Sequence, residues 1–281
     1  MTQNLVSTEW LAKHLSDKSI QIVDASWHMP ASKRNAAEEF IAAHIPGASF
    51  FNLDASSAPD TTLPHMLPSA EKFAHDMKKL GVSDAKHVVV YDSVGLFSAA
   101  RLWWMLKVFG HARVSVLDGG LPKWQCENRA LESGESPMAD AHHFTPRLAV
   151  DKVISLHEVA KSLQSGSAQI ADARSPSRFR GEEAEPRPGV RPGHMPGAHN
   201  VHYASLLKAN GTLKQPSALQ ATFEAAGINL ANPIITSCGS GVTAAILFLA
   251  LAEIGHDQTS LYDGSWTEWG ASDQAVAIGT D

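Results

Sequence analysis

The chain has 281 residues, of which 44% are hydrophobic and 19% are charged, and its formal net charge at pH 7 is −6. This composition excludes an intrinsically disordered protein, because it supplies enough apolar surface for the core of one large domain or two ordinary ones. The excess of acidic residues argues against a general nucleic-acid-binding protein and against docking on anionic lipid.

Short apolar runs alternate with helical patterns along the chain. In the first half the patterns predict strands at 21–25, 87–91 and 114–117, and helices at 69–80 and 98–109. In the second half they predict strands at 169–173, 233–237 and 259–262, and helices at 155–164, 217–226 and 242–254. This alternation predicts an α/β fold, with a doubly wound, mostly parallel sheet in each half and helices on both of its faces.

The two halves of the chain repeat each other. Four short segments recur in the same order at offsets between 145 and 150 residues. Among them are two His-x-Pro-Gly-Ala patterns, at His44 and His194, and two Asp-Gly segments, at Asp118 and Asp263. A period this long indicates duplicated domains, because solenoid repeats run to about 20–50 residues. We expect domains at 1–140 and 151–281, joined by a linker at 141–150.

The cysteines and the N-terminus bear on the cellular compartment. Two cysteines, Cys126 and Cys238, cannot build a disulfide framework or a structural zinc site. Residues 1–10 contain no basic region followed by an apolar run, so they do not resemble a secretory signal. The longest apolar stretch, at 242–252, is shorter than the roughly 20 residues that a membrane-spanning helix needs. We therefore expect a cytoplasmic protein that does not bind membranes.

Cys238 directly follows a predicted strand, and a Gly-Ser-Gly-Val-Thr loop then leads into an apolar helix. Open α/β sheets bind ligands at the carboxyl ends of their strands, which is where this thiol is expected. The glycines let backbone N–H groups curl inward around an anion, and the helix dipole favours the reactive thiolate. From these residues alone, Cys238 could also be a buried core residue followed by an ordinary turn, because free cysteines are often buried.

The tandem repeat, both His-x-Pro-Gly-Ala segments, the Cys238 loop and the Asp-Gly-Ser-Trp-Thr-Glu-Trp segment near the end together resemble the rhodanese superfamily. The resemblance covers about residues 6–270 and implies two rhodanese-like domains, of which only the second carries the catalytic cysteine. In the first half the equivalent position is Asp92, which cannot be a sulfur nucleophile. The first domain is therefore expected to be catalytically inactive.

The loop distinguishes the activities found in this superfamily. Its phosphatases carry an arginine six positions after the cysteine, where this chain has Ala244, so phosphate would lack a bidentate partner. Its thiosulfate sulfurtransferases carry basic residues inside the loop, whereas this loop is uncharged. The neutral loop resembles that of the members that transfer sulfur from 3-mercaptopyruvate. A thiosulfate:cyanide sulfurtransferase and a non-enzymatic persulfide carrier remain open as alternatives.

Two arginines follow the first predicted strand of the second half. The resemblance implies that Arg178 and Arg187 bind the carboxylate and keto oxygen of the substrate, for which a planar guanidinium is well suited. Taken alone, they could equally be solvated side chains of a polar loop. The resemblance implies that four further residues complete the substrate and sulfur site, and they are Gly239, Gly241, Val242 and Thr243.

A third set of residues comes from both halves of the chain. The resemblance implies a proton relay in which Asp54 orients His65 and His65 exchanges a proton with Ser240. The alternative is that Asp54 caps a turn and that His65 is an ordinary packing or surface histidine. His44 is repeated as His194 and Asp118 as Asp263, although only one half has the cysteine, so a structural role is expected for these four residues.

The implied reaction is covalent sulfur transfer through a Cys238 persulfide, with pyruvate as the product and ping-pong kinetics. The expected sulfur acceptors are thioredoxin, small thiols or cyanide, and the implied role lies in cysteine catabolism. No cofactor, metal ion or nucleic acid is expected, because the sequence has neither a nucleotide fingerprint nor metal-ligand spacing.

Overall fold

The structure, a computed structural model, describes residues 3–135 and 143–280. The chain divides into two compact units. The first unit consists of Met1–Ala58, Pro68–Ala149 and Lys208–Leu213, and the second of Pro59–Leu67, Val150–Leu207 and Lys214–Asp281. Each unit includes one short segment from the other half of the chain, which the sequence did not predict. The linker at 141–150 stays a prediction, because residues 141 and 142 lie outside the described residues.

A parallel sheet forms the centre of the first unit. Its strands are β1 (Leu5–Val6), β2 (Ile20–Asp24), β3 (Ser49–Phe50), β4 (His87–Tyr91) and β5 (Val114–Leu117). They lie in the order β1-β5-β4-β2-β3, and every pairing between these described strands is parallel. The helices are α1 (Thr8–Lys13), α2 (Ala36–Ala42), α3 (Ala70–Lys79), α4 (Ala99–Val108) and α5 (Gly120–Cys126).

The second unit repeats this arrangement. Its strands are β6 (Val153–Ile154), β7 (Gln169–Asp172), β8 (His199–Asn200), β9 (Ile234–Ser237) and β10 (Thr259–Tyr262). They lie in the order β6-β10-β9-β7-β8, again with parallel pairings. The helices are α6 (Leu156–Ser165), α7 (Pro176–Phe179), α8 (Pro216–Ala225), α9 (Ala244–Glu253) and α10 (Ser265–Trp269). Short 3₁₀ turns occur at Pro30–Ser32 in the first unit and at Val150–Lys152 and Tyr203–Leu206 in the second.

Burial explains the composition of these elements. The central strands β4 and β9 are buried along almost their whole length, and their most apolar parts are the Val-Val-Val-Tyr of β4 and the Ile-Ile of β9. Helices α4 and α9 are buried on nearly every face and are correspondingly rich in apolar residues. Helix α6 is amphipathic instead, and a capping box between Ser155 and Glu158 fixes its start. Each sheet therefore lies in a core of its own.

The strand order of the second unit determines where its functional loops lie. After β7 the chain crosses to β8 on one side, and after β9 it crosses to β10 on the other side. The carboxyl ends of neighbouring strands with opposite crossovers form a crevice that is the usual ligand site of such sheets. The loops that follow β7 and β9 begin at this crevice, and they carry the predicted arginines and Cys238.

The predicted α/β architecture of two parallel-sheet repeats is confirmed. Each predicted strand and helix begins and ends within two residues of an observed one. The sequence missed the edge strands, which are only two residues long, and the short helices α1, α2, α5, α7 and α10. Within the described residues, no helix combines the length and apolar character needed to span a bilayer.

Candidate active site

Cys238 is the first residue after β9 and is only 2% exposed. The loop that it opens is held by the first turn of α10. The Cys238 N–H donates to Ser265 Oγ at 3.2 Å, and the Cys238 carbonyl accepts the Trp266 N–H at 2.9 Å. Thr267 donates its N–H (2.9 Å) and its hydroxyl (2.6 Å) to the Gly239 carbonyl. These hydrogen bonds therefore fix the backbone of Cys238 and Gly239, and with it the start of the Cys238 side chain.

The structure brings two of the predicted relay residues together. His65 Nδ1 lies 2.9 Å from Ser240 Oγ, although 175 residues separate them in sequence. Both residues are buried, and His65 belongs to the Pro59–Leu67 segment of the second unit. The backbone φ of His65 is +62°, in the left-handed region. The imidazole is thus within proton-transfer reach of a hydroxyl two residues from Cys238.

Arg178 lies at the end of a buried network of alternating charges. Its guanidinium hydrogen-bonds to Glu185, whose other oxygen accepts from Arg174 at 2.8 Å. Arg174 also pairs with Asp172 at 2.8 Å, and its guanidinium stacks 4.4 Å from the ring centroid of Trp266. Burial opposes the charge of Arg174, but Asp172 and Glu185 outweigh that penalty and raise its pKa above the ordinary value. The network fixes the direction in which Arg178 points.

The guanidinium of Arg178 packs against the Cys238 loop. A Cβ atom built on Gly239 would lie 3.2 Å from Arg178 Nη2, so a larger residue at position 239 would crowd the guanidinium. Arg187 approaches the same loop through Thr267, whose Oγ1 accepts from Arg187 at 3.5 Å while donating to the Gly239 carbonyl. Both arginines are only partly buried. The second unit therefore places two cations beside an uncharged cysteine loop.

Asp54 lies in the first unit. The Trp27 indole N–H donates to both of its carboxylate oxygens, at 3.2 and 3.1 Å. This bifurcated hydrogen bond orients the carboxylate, which is otherwise exposed. The three-residue relay of Asp54, His65 and Ser240 stays a prediction.

The first unit carries the equivalent loop after β4, where Asp92 takes the place of cysteine. The carboxylate of Asp92 is fully buried. One oxygen accepts N–H groups from Val94 and Gly95, both at 2.9 Å. The other oxygen accepts three more, at distances between 2.7 and 2.9 Å, from Phe97, Ser98 and Ala99. A strand–loop–helix of this shape therefore holds an anion with five backbone donors.

The remaining predicted site residues complete the loop after β9. Gly241 and Val242 are buried in it, and Thr243 is the partly exposed residue before α9. Sequence reasoning did not assign three residues that hold the site together, Glu185, Ser265 and Thr267, and it expected only a structural role for Asp263. Ser265 did leave a signal in the sequence, because the equivalent position of the first repeat is a glycine, Gly120. The structure shows that both residues have a left-handed backbone. Among the described residues, no cluster of three or more His, Cys, Asp or Glu side chains could hold a metal ion.

Comparisons with known proteins agree with this architecture. The rhodanese-like domain family matches residues 7–127 and again residues 155–272. The 3-mercaptopyruvate sulfurtransferase of Escherichia coli K12 is 46% identical over 267 residues, covering 95% of this chain and 94% of that protein. The human 3-mercaptopyruvate sulfurtransferase is 42% identical, covering 94% and 91%. The crystal structure of SseA from Escherichia coli superposes with a TM-score of 0.87 at 44% identity, covering 94% of this chain and 99% of that one. The chain belongs to the rhodanese family.

Proposed function

We propose that this chain transfers the sulfur of 3-mercaptopyruvate through a persulfide on Cys238 and releases pyruvate. Relatives at 46% and 42% identity along nearly the whole chain are 3-mercaptopyruvate sulfurtransferases, which favours this substrate over thiosulfate. The observation that carries the proposal is the packing of Arg178 against an uncharged loop that begins with Cys238. Such a site binds the negative charge of the sulfur-donating substrate beside the loop rather than inside it.

In the first half-reaction the Cys238 thiolate attacks the sulfur of 3-mercaptopyruvate. A sulfur–sulfur bond forms, the carbon–sulfur bond breaks, and its electron pair leaves with the carbon fragment as the enolate of pyruvate. The thiol proton of the substrate finally reaches the enolate carbon, so atoms and charge balance. Arg178 and Arg187 offset the charge of the substrate carboxylate and of the developing enolate, a form of stabilisation that is often the largest contribution to catalysis.

Proton movement is assigned to the buried pair of His65 and Ser240. The 2.9 Å separation of Nδ1 and Oγ supports a route from the substrate thiol through Ser240 to His65. Asp54 completes the proposed relay by orienting the imidazole and stabilising its charged form. The Trp27 hydrogen bonds to Asp54 support this role, because they hold the carboxylate in one orientation.

In the second half-reaction a nucleophile removes the outer sulfur from Cys238. The Asp92 loop supports this intermediate, because the same backbone shape holds an anion in the first repeat. By analogy, the N–H groups at the five equivalent positions bind the persulfide, and these belong to Ser240, Gly241, Thr243, Ala244 and Ala245. A thiol, reduced thioredoxin or cyanide then attacks the outer sulfur and regenerates the Cys238 thiolate. No cofactor enters either step, and ping-pong kinetics follow.

The test compares kcat/KM for 3-mercaptopyruvate and thiosulfate, with cyanide as acceptor, in the wild type and Arg187→Gln. We expect a strong preference for 3-mercaptopyruvate, and a rise of about tenfold or more in its KM in the variant, because a bidentate charged contact is lost. Arg180→Gln is the matched control: Arg180 lies in the same segment but pairs on the surface with Glu182, and its loss should leave both constants unchanged.

Equal or faster turnover of thiosulfate, or an unchanged KM in Arg187→Gln, would contradict the proposal and favour a thiosulfate sulfurtransferase. Loading only from a protein donor, with little small-molecule turnover, would favour a persulfide carrier. The cytoplasmic location belongs to the same proposal, and cell fractionation tests it.

A further inference from the structure

The Asp-Gly segment after β10 makes a contact that the proposed chemistry does not use. Asp263 is buried, and its Oδ2 accepts the backbone N–H of Leu67 at 2.7 Å. Leu67 ends the Pro59–Leu67 segment, which comes from the first half of the chain but belongs to the second unit. A carboxylate therefore fastens this inserted segment by its backbone, through a charge-assisted hydrogen bond.

The first unit contains the matching contact. Asp118, the equivalent of Asp263, accepts the backbone N–H of Leu213 at 2.8 Å through Oδ1. Leu213 ends Lys208–Leu213, the segment of the second half that belongs to the first unit. The same position thus holds an inserted segment in both repeats. The second unit differs in that its segment carries His65, two residues before the fastened N–H.

His65 needs such an anchor because its backbone is strained. Its φ of +62° lies in the left-handed region, which is uncommon for residues with a Cβ and costs free energy that the surrounding contacts must offset. The Leu67 contact with Asp263 holds the chain just after His65, and the Ser240 contact holds its ring. Loss of either contact would let the backbone relax and move the imidazole.

We propose that Asp263 is a positioning residue for sulfur transfer, which keeps His65 Nδ1 within reach of Ser240 Oγ by holding the Leu67 N–H. This inference rests on the proposed relay. The role expected from the sequence was structural, because Asp118 and Asp263 occur in both repeats. The equivalent hydrogen bonds of Asp118 and Asp263 both hold a segment in place. In the repeat that contains Cys238, that segment also carries a residue of the proposed relay.

The first experiment measures kcat and KM for 3-mercaptopyruvate in Asp263→Ala, Asp263→Asn and Asp118→Ala. We expect Asp263→Ala to lower kcat by about tenfold or more, because small misplacements of a catalytic group cost rate steeply. KM should change less than about threefold, because Arg178 and Arg187 are untouched. Asp263→Asn retains an acceptor oxygen and should recover part of kcat. Asp118→Ala should lower thermal stability similarly while kcat stays within about twofold of the wild type.

The second experiment is a double-mutant cycle with His65→Gln. If Asp263 acts through His65, adding Asp263→Asn to His65→Gln should lower kcat no further. Multiplying losses, or an unchanged kcat in Asp263→Asn and Asp263→Ala, would overturn the positioning role while His65→Gln still supports the relay. An unchanged kcat in His65→Gln would overturn the relay itself. If Asp263→Ala does not fold, Asp263→Asn and the cycle decide the question.

Discussion

The loop after β4 and the loop after β9 occupy the same place in the two repeats, but their first side chains differ. In the first unit, Asp92 supplies its own anion, and five backbone N–H groups bind its carboxylate. In the second unit, Cys238 brings a shorter thiol side chain to that position, beside Arg178 and the His65–Ser240 pair. The first loop is filled by its own side chain, and the second begins with the proposed nucleophile.

The two repeats therefore use the same loop for two purposes: stability in the first and, as proposed, catalysis in the second. A loop whose backbone donors bind an internal carboxylate is rigid and stable, but those donors cannot also bind a ligand. A loop that begins with a thiol can use its donors for a charged intermediate. We infer that the anion-binding shape belongs to the fold, and that one side chain decides whether it serves stability or chemistry.

The largest expected effect tests the assignment of the nucleophile. Cys238→Ser should lower kcat by about 10³-fold or more, because a serine hydroxyl cannot form the persulfide. Cys126→Ser is the control and should retain full activity, since Cys126 is exposed and remote from the loop in sequence.

Introducing Asp92→Cys into Cys238→Ser should not restore turnover. Mass spectrometry after incubation with 3-mercaptopyruvate should detect one added sulfur atom in every variant that retains Cys238, and none in Cys238→Ser. Restored turnover would refute an inactive first repeat.

The next effect tests the role of Asp92 in stability. Asp92→Ala should lower the free energy of unfolding by about 4 kcal/mol, because it removes the buried acceptor of five donors. Asp92→Asn should be nearly as harmful, because its amide NH₂ would face N–H donors. The equivalent truncation, Cys238→Ala, should cost less than about 1 kcal/mol. Denaturant midpoints measure all three variants, and equal losses at both positions would contradict the comparison.

A third effect concerns the aspartates that end β2 and β7. Asp172 pairs with Arg174, whereas Asp24 lacks an arginine at the equivalent position, which is Ser26. Burial raises the pKa of Asp24 to about 6. The folded state then binds a proton that the unfolded state has released, so this carboxyl lowers stability as pH rises from about 4 to 6.

Asp24→Asn should therefore stabilise the protein by about 3 kcal/mol at pH 7 and have little effect near pH 4. Asp172→Asn should instead destabilise it, because Arg174 would lose one of its two buried carboxylate partners. Thermal unfolding between pH 4 and 8 measures both variants. A stabilisation by Asp24→Asn that does not vary with pH would contradict the explanation.

The smallest effect concerns Ser265 and Gly120, which both have a left-handed backbone, with φ of +50° and +54°. A Cβ on Gly120 would lie 2.6 Å from the Asp92 carbonyl oxygen, so the first repeat requires glycine there. In the second repeat the Ser265 hydroxyl accepts the Cys238 N–H. Ser265→Gly should relieve backbone strain but lose this bond, changing the free energy of unfolding by less than about 1 kcal/mol. We expect a several-fold loss of kcat, and an unchanged kcat would show that the bond does not position Cys238.

The accuracy of the sequence prediction depended on how local each signal was. The bounds of β4, β9 and the long helices α3, α4, α6, α8 and α9 were predicted within two residues, because the pattern of apolar residues is visible within one segment. The edge strands β1, β3, β6 and β8 have two residues each, which is too short for any period. Glu185 was not assigned, because nothing near it in sequence indicates which arginines it joins.

The sequence by itself determined the duplication, the parallel α/β architecture and the neutral cysteine loop of the second repeat, because residues close together along the chain carry each of these. Only the tertiary structure decided which distant groups meet. It placed Pro59–Leu67 in the second unit, set His65 against Ser240 and brought the Asp263 carboxylate to the Leu67 N–H. The physical reason is that such contacts depend on how the whole chain returns to one sheet edge, and no local pattern of residue types encodes that return.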